Sequence, residues 1–122
     1  MEKSKSILIV DDSAVARMLL KNTILDQQKN WKIFEASAAD EALALLEKEK
    51  FNMLSIDYNM PGMNGLELVE IIKKKYPKTK MVILTANVQT SFKEKVESHG
   101  IEFLEKPITD EIVKKIINIC LK

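Results

Sequence analysis

Phe51-Asn52-Met53-Leu54-Ser55-Ile56-Asp57-Tyr58-Asn59-Met60-Pro61-Gly62-Met63-Asn64-Gly65-Leu66-Glu67-Leu68 is the stretch from which the fold of this chain is read. Met53 to Ile56 is a short apolar run bounded by turn residues, which reads as a buried strand. Asp57 is then the first residue beyond that strand, where a carboxylate is costly unless a charged partner waits for it. Pro61, Gly62 and Gly65 force a compact loop with fixed and positive backbone angles. Asn64-Gly65 alone would suggest a hairpin. The residues after Gly65 have helical period instead, so Asn64 is read as a helix N-cap with Glu67 three residues on. A lone Asp57 would pass for a strand-ending cap. It is not alone.

Upstream, Ile7-Leu8-Ile9-Val10 is a continuous aliphatic run, the mark of a strand covered on both faces, and it ends on Asp11-Asp12-Ser13. A helix runs from Ala14 to about Gln27, with Ser13 as cap and Val15, Met18 and Leu19 expected on one buried face. Trp31 to Ala36 alternates more and is placed at a sheet edge. Ser37 with Asp40 forms a capping-box-like start to a second helix, whose Ala39, Ala42, Leu43 and Leu46 fall at i, i+3, i+4, i+7.

Downstream, the third helix carries Leu68, Val69, Ile72 and Tyr76 and stops at Pro77; Lys73-Lys74-Lys75 suits its C-terminal dipole. Met81-Val82-Ile83-Leu84 is a fourth strand, ending on Thr85-Ala86-Asn87. The helix after it, Gln89 to Ser98, has the poorest apolar stripe, only Phe92 and Val96, and Gly100 closes it. Ile101 to Leu104 is a fifth strand, followed by Glu105-Lys106-Pro107. Thr109 caps a last helix whose Val113, Ile116, Ile117 and Cys120 share a face.

Five strand–helix units in strict alternation imply an α/β fold with a parallel sheet covered by helices on both sides. Ligands of such sheets bind beyond the carboxyl ends of the strands, where strand order reverses. Asp11 and Asp12 follow strand one, Asp57 strand three, Thr85 strand four and Lys106 strand five. One pocket therefore collects them all, with only the edge strand contributing nothing. Three carboxylates together repel, roughly 4 kcal/mol per pair at ~4 Å and an effective dielectric near 20. A hard divalent cation with oxygen ligands answers that repulsion, and Mg²⁺ keeps a position open for a phosphate. Lys106 can balance further negative charge and the Thr85 hydroxyl can donate to it.

With 122 residues the chain is expected to be one domain, 1–122, with no room for a second. A net charge of +1 gives no reason to expect nucleic acid or acidic membranes as partners. No apolar run is long enough to span a bilayer, and one cysteine, Cys120, points to a reducing cytoplasm and a packing role. His99 is read as a surface residue standing alone near a helix end, which leaves no transition-metal site.

Asp11-Asp12, Asp57 followed by Met60-Pro61-Gly62-Met63-Asn64-Gly65, Thr85-Ala86 and Lys106-Pro107 together resemble the response-regulator receiver domain of two-component signalling. The resemblance covers Ile7 through Leu121, and in size the chain is similar to single-domain CheY-like members, with flavodoxin-like strand order 2-1-3-4-5. It implies a signalling phosphoacceptor, not an enzyme in its own right, that acts in its own phosphorylation and dephosphorylation. Asp57 would take a phosphoryl group from a histidine kinase. Asp12 and Asp57 would bind Mg²⁺ with the backbone carbonyl of Asn59, Asp11 acting through water. Lys106 would pair with phosphoryl oxygens, and Thr85 with Phe103 would form the switch. Asn59 and Asn87 would set phosphoryl lifetime, and Pro107 would follow a cis bond that turns Lys106 into the pocket.

The same resemblance implies a monomer that signals, in chemotaxis or a related pathway, to a separate protein through its fourth helix, fifth strand and fifth helix, with no direct nucleic-acid or membrane contact. Three alternatives stand beside it. A flavodoxin-like cofactor binder would need a phosphate loop where Asp11-Asp12-Ser13 repels phosphate unless a metal intervenes. A Mg²⁺-dependent aspartyl-phosphate phosphatase would want its first two aspartates separated by one residue, and here they are adjacent. A receiver cut from a longer regulator is the third.

Overall fold

β1 (Ser6–Val10) is buried along its aliphatic run because it pairs on both sides, in parallel, with β2 (Lys32–Ala36) and β3 (Met53–Asp57). The computed structural model describes residues 4–86 and 90–122, with 90–92 given by backbone alone; Asn87, Val88, Gln89 and the Phe92 side chain lie outside the described residues. β4 (Lys80–Thr85) and β5 (Glu102–Glu105) complete a parallel sheet of order β2-β1-β3-β4-β5. The expected architecture and strand order are therefore observed, with β2 at an edge.

A helix follows each strand: α1 (Ala14–Gln27), α2 (Ala39–Lys48), α3 (Gly65–Lys75), α4 (Thr90–Ser98) and α5 (Asp110–Leu121). Because strand side chains alternate between faces, the sheet builds two cores. On one side Leu8, Val10, Leu54, Ile56 and Ile83 meet α2, α3 and Val96 of α4. On the other Ile7, Ile9, Met53, Val82, Leu84 and Leu104 meet α1 and α5. α5 packs through Val113, Ile116, Ile117 and Cys120, and Thr109 Oγ1 accepts from Ile112 N, as its sequence requires.

Two local readings need correction. α1 buries Leu20 and Ile24, while Val15, Met18 and Leu19 are exposed. Periodicity finds a stripe, and α1 carries a second, i/i+4 stripe that is the one facing α5. Ser37 does not box with Asp40: its backbone N–H and hydroxyl both donate to Glu41 Oε1, at 2.9 and 2.7 Å, and Ala38 is the N-cap. The longer Glu41 side chain reaches back over one full turn where Asp40 is too short. These bonds, backbone first, hold the Glu41 carboxyl below its usual range.

Ser55 is buried in the middle of β3 between Ile9 and Val82, and its hydroxyl has no hydrogen-bond partner. An unpaired buried hydroxyl costs more than an apolar replacement of similar shape. Ser55→Ala is expected to raise unfolding free energy by about 1 kcal/mol in a urea titration. A comparable loss would show that the hydroxyl is bonded.

Candidate functional site

β1 and β3 are neighbours although the chain visits β2 between them, so strand order reverses around this pair. Their carboxyl ends deliver Asp11 and Asp57 to the same point. Asp57 proves to be the last residue of β3 rather than the first beyond it, paired with Leu84, and it is buried rather than at the margin of the core, only 7% exposed. Asp11 is equally buried, and Asp12 beside it is exposed.

The loop after Asp57 closes on itself. Tyr58 N donates to Leu84 O at 3.0 Å, and Gly65 N donates back to Tyr58 O at 2.9 Å. Asn64 caps α3 in a full capping box with Glu67, at 2.9 and 3.1 Å, which anchors the far end of the loop. Gly62 takes a positive φ of 78°. Gly65 is required for a different reason: a Cβ there would lie 2.7 Å from Asp57 O and 2.9 Å from Tyr58 Cα, both backbone atoms. Gly65→Ala is expected to destabilise the fold by about 1–3 kcal/mol, the usual cost of overpacking, despite alanine's better helix propensity. An unchanged denaturation midpoint would show that the loop after Asp57 gives way freely.

From β5, Lys106 enters the same pocket. Its backbone N–H bonds Thr85 O at 2.9 Å, and the Lys106-Pro107 peptide bond is cis. Lys106 Nζ lies 2.9 Å from Asp11 Oδ2 and 3.4 Å from Asp57 Oδ1. Burial disfavours its charge, but the Asp11 hydrogen bond and the Asp57 and Asp11 charges outweigh that and raise its pKa above the ordinary lysine value. The Asp57 pKa is pushed up to about 6, first by burial and then by the Asp11 charge; Lys106 opposes this, and Asp12 adds to it.

Thr85 is buried at the end of β4, with its hydroxyl 3.5 Å from Asn59 Nδ2. Phe103, in β5, is partly buried against the core on the α2–α4 side of the sheet. Carboxylate oxygens of Asp11, Asp12 and Asp57 all lie within 4.8 Å of one another. Among the described residues Lys106 is the one cation in ion-pair range of these carboxylates, and the donors are all oxygen. That set fits a hard divalent cation such as Mg²⁺ and not a thiolate- or imidazole-loving metal.

The structure thus brings Asp11, Asp12, Asp57 and Lys106 together, with Thr85 joined to Lys106 through its backbone carbonyl. Two features went unread. Arg17, on the first turns of α1, donates to Asp11 O, a contact no motif announces. His99 is not alone: Nε2 sits 3.6 Å from Glu70 Oε2 of α3, and Nδ1 2.8 Å from Lys95 O. It fastens the end of α4 to α3 and takes no part in the pocket. Among the described residues no helix is long and apolar enough to cross a membrane.

Comparison with known proteins places this geometry. The profile of the response regulator receiver domain matches residues 7–118. A chemotaxis protein CheY homolog of Campylobacter jejuni is 37% identical over 117 residues, covering 89% of this chain and 86% of that protein. A protein-glutamate methylesterase/protein-glutamine glutaminase of Pyrococcus abyssi is 33% identical over 90% of this chain, which spans only 33% of that protein's length. Among solved structures, a CheY-like receiver domain protein from Methanospirillum hungatei superposes with a TM-score of 0.86 at 28% identity, covering 97% and 94% of the two chains. The response regulator TrrA from Thermotoga maritima, solved in complex with Mg²⁺-BeF, does so at 0.81 and 31%, covering 94% and 98%.

Proposed function

This chain belongs to the response-regulator receiver domain family, and on that premise we propose that Asp57 accepts a phosphoryl group from a phosphohistidine of a partner kinase. The N–P bond of the donor breaks as a bond forms between phosphorus and an Asp57 carboxylate oxygen, and the imidazole leaves with a proton from solvent. The observation that carries this reading is the company Asp57 keeps: Lys106 Nζ at 3.4 Å and two further carboxylates in one cluster. Phosphoryl transfer spreads negative charge over the equatorial oxygens, so the protein's work is positioning and charge compensation. Asp12, Asp57 and the backbone carbonyl of Asn59, with Asp11 acting through water, would hold Mg²⁺, which would supply further charge compensation when bound.

Lys106 at rest is shared between Asp11 and Asp57. A phosphoryl group adds roughly −1.5 to −2 charges and three acceptor oxygens, which draw the ammonium and the Thr85 hydroxyl. Thr85 moves toward them and vacates space, and Phe103 rotates inward to fill it. The output face is α4, β5 and α5, read by a separate target protein, and the protein acts as a cytoplasmic monomer with no direct nucleic-acid contact. Asn59 and Asn87 stand two residues past Asp57 and past Thr85 in the sequence, neutral amides that leave self-hydrolysis possible. A switch of about 1–3 kcal/mol changes partner affinity about 5- to 150-fold.

The test of the acceptor is incubation with acetyl phosphate and Mg²⁺ followed by mapping of the modified residue. Label on Asp57 is expected; label elsewhere, or none, overturns the assignment. For the switch, amide exchange with and without beryllofluoride and Mg²⁺ is expected to change protection across α4 and β5. Changes confined to the surroundings of Asp11 and Asp57 would remove the proposed output route.

A further inference from the structure

Asp12 is the odd member of the acidic cluster. Asp11 is held at every polar position: its N–H donates to Ala36 O at 3.1 Å, Oδ1 accepts from Ser13 N at 2.9 Å, and Oδ2 accepts from Lys106 at 2.9 Å. The exposed Asp12 carboxylate has no hydrogen bond or ion pair among the described residues. No side-chain contact places it, so its reach is governed by where the backbone roots it, and the peptide that does so is the one joining Asp11 to Asp12.

That peptide lies beyond the end of β1, where no strand can hold it. Its carbonyl, Asp11 O, accepts instead from Arg17 Nη1 at 2.6 Å. Arg17 is held in turn: its Nε donates to Glu35 Oε1 at 3.0 Å, and Lys21 stands 3.8 Å from the other oxygen of Glu35. The planar guanidinium is thus fixed at two points, on Glu35 near the end of β2 and on the Asp11 carbonyl. A lysine has one ammonium on a flexible stem and cannot span both in a rigid plane.

We propose that Arg17, clamped by Glu35, is a positioning residue that fixes the Asp11–Asp12 peptide and thereby aims the Asp12 carboxylate at the divalent-cation site. This rests on the reading of the acidic cluster as a Mg²⁺ site. Outer groups that orient ligands typically change metal affinity about 10- to 100-fold when removed. The edge strand, which lends no side chain to the pocket, acts on it through Glu35 and the Ala36 carbonyl.

The sign of the effect separates this role from simple electrostatics. Arg17 is a cation near a cation site, so deleting its charge would tighten Mg²⁺ binding if charge were all that mattered. Positioning requires the opposite. In calorimetric titration of the unphosphorylated protein with Mg²⁺ alone, Arg17→Ala is expected to bind about 10-fold more weakly than wild type. Arg17→Lys, which keeps the charge and the fold-supporting stem, is expected to be weakened nearly as much. Glu35→Gln keeps an acceptor for Nε and is expected to stay within about threefold of wild type. Titrations run well below each variant's melting temperature exclude a loss that reflects unfolding. Arg17→Ala or Arg17→Lys binding Mg²⁺ as tightly as wild type, or more tightly, overturns the clamp while leaving the metal site intact. Wild type that binds no Mg²⁺ overturns the site itself, and the clamp with it.

Discussion

Asp57→Asn is expected to make the folded protein more stable at pH 7, by up to about 3 kcal/mol, while abolishing phosphoryl incorporation. Asp57 has its pKa raised from 3.8 to about 6 by burial and by the Asp11 charge. Each unit is worth about 1.4 kcal/mol, and the shift favours the protonated acid in the folded state. Its contribution to stability is therefore complete below about pH 3.8 and is lost as pH rises through about 6. At neutral pH the folded wild type carries an ionised group that it would rather keep neutral. Asparagine has nearly the same shape and never ionises. Urea unfolding from about pH 4 to 8 is expected to show the two proteins converging near pH 4, separating as pH rises to about 6, and differing by a constant amount above that. A variant less stable than wild type at neutral pH would make Asp57 a structural cap and end the pocket assignment.

That prediction depends on burial, which the sequence shows only partly. Three of the five strands were legible because Ile7–Val10, Met53–Ile56 and Met81–Leu84 are mainly apolar runs that no surface would tolerate. The pocket was legible because the carboxyl ends of parallel strands are one place, so Asp11, Asp57, Thr85 and Lys106 had to meet. Direction within a helix was not legible. Val15, 69% exposed, and Met18 satisfy helical spacing as well as Leu20 and Ile24 do, and only packing against α5 decides between the stripes. Pairings across elements were also hidden. Arg17 meets Glu35 and His99 meets Glu70 only through the tertiary arrangement, across 18 and 29 residues of chain, and neither spacing carries a motif.

Lys106→Ala is expected to destabilise the protein by about 3 kcal/mol at neutral pH, and by much less once Asp57 is neutral. Lys106 Nζ is the one positive charge within 4 Å of both Asp11 and Asp57 among the described residues, and both carboxylates are almost fully buried. Removing one partner of a buried ion pair leaves uncompensated charge and typically costs about 3–5 kcal/mol. The lysine side chain is 21% exposed, so water already screens part of its interaction, and the lower end of that range applies. Without the ammonium, two carboxylates share a desolvated pocket, and the pKa of Asp57 is expected to climb above its present value of about 6. The cost of the substitution should then shrink as pH falls through about 6, since protonation removes the repulsion. The same relief should come from chemistry rather than acid. In the Asp57→Asn background, Lys106→Ala loses only its Asp11 contact, so the two effects are expected to be non-additive by about 1–2 kcal/mol in a double-mutant cycle. Additive losses, or a cost independent of pH, would mean that Lys106 supports the fold through its packing rather than through the charge it brings to Asp57. The resting pocket thus sets the Lys106 ammonium against the buried carboxylates of Asp11 and Asp57.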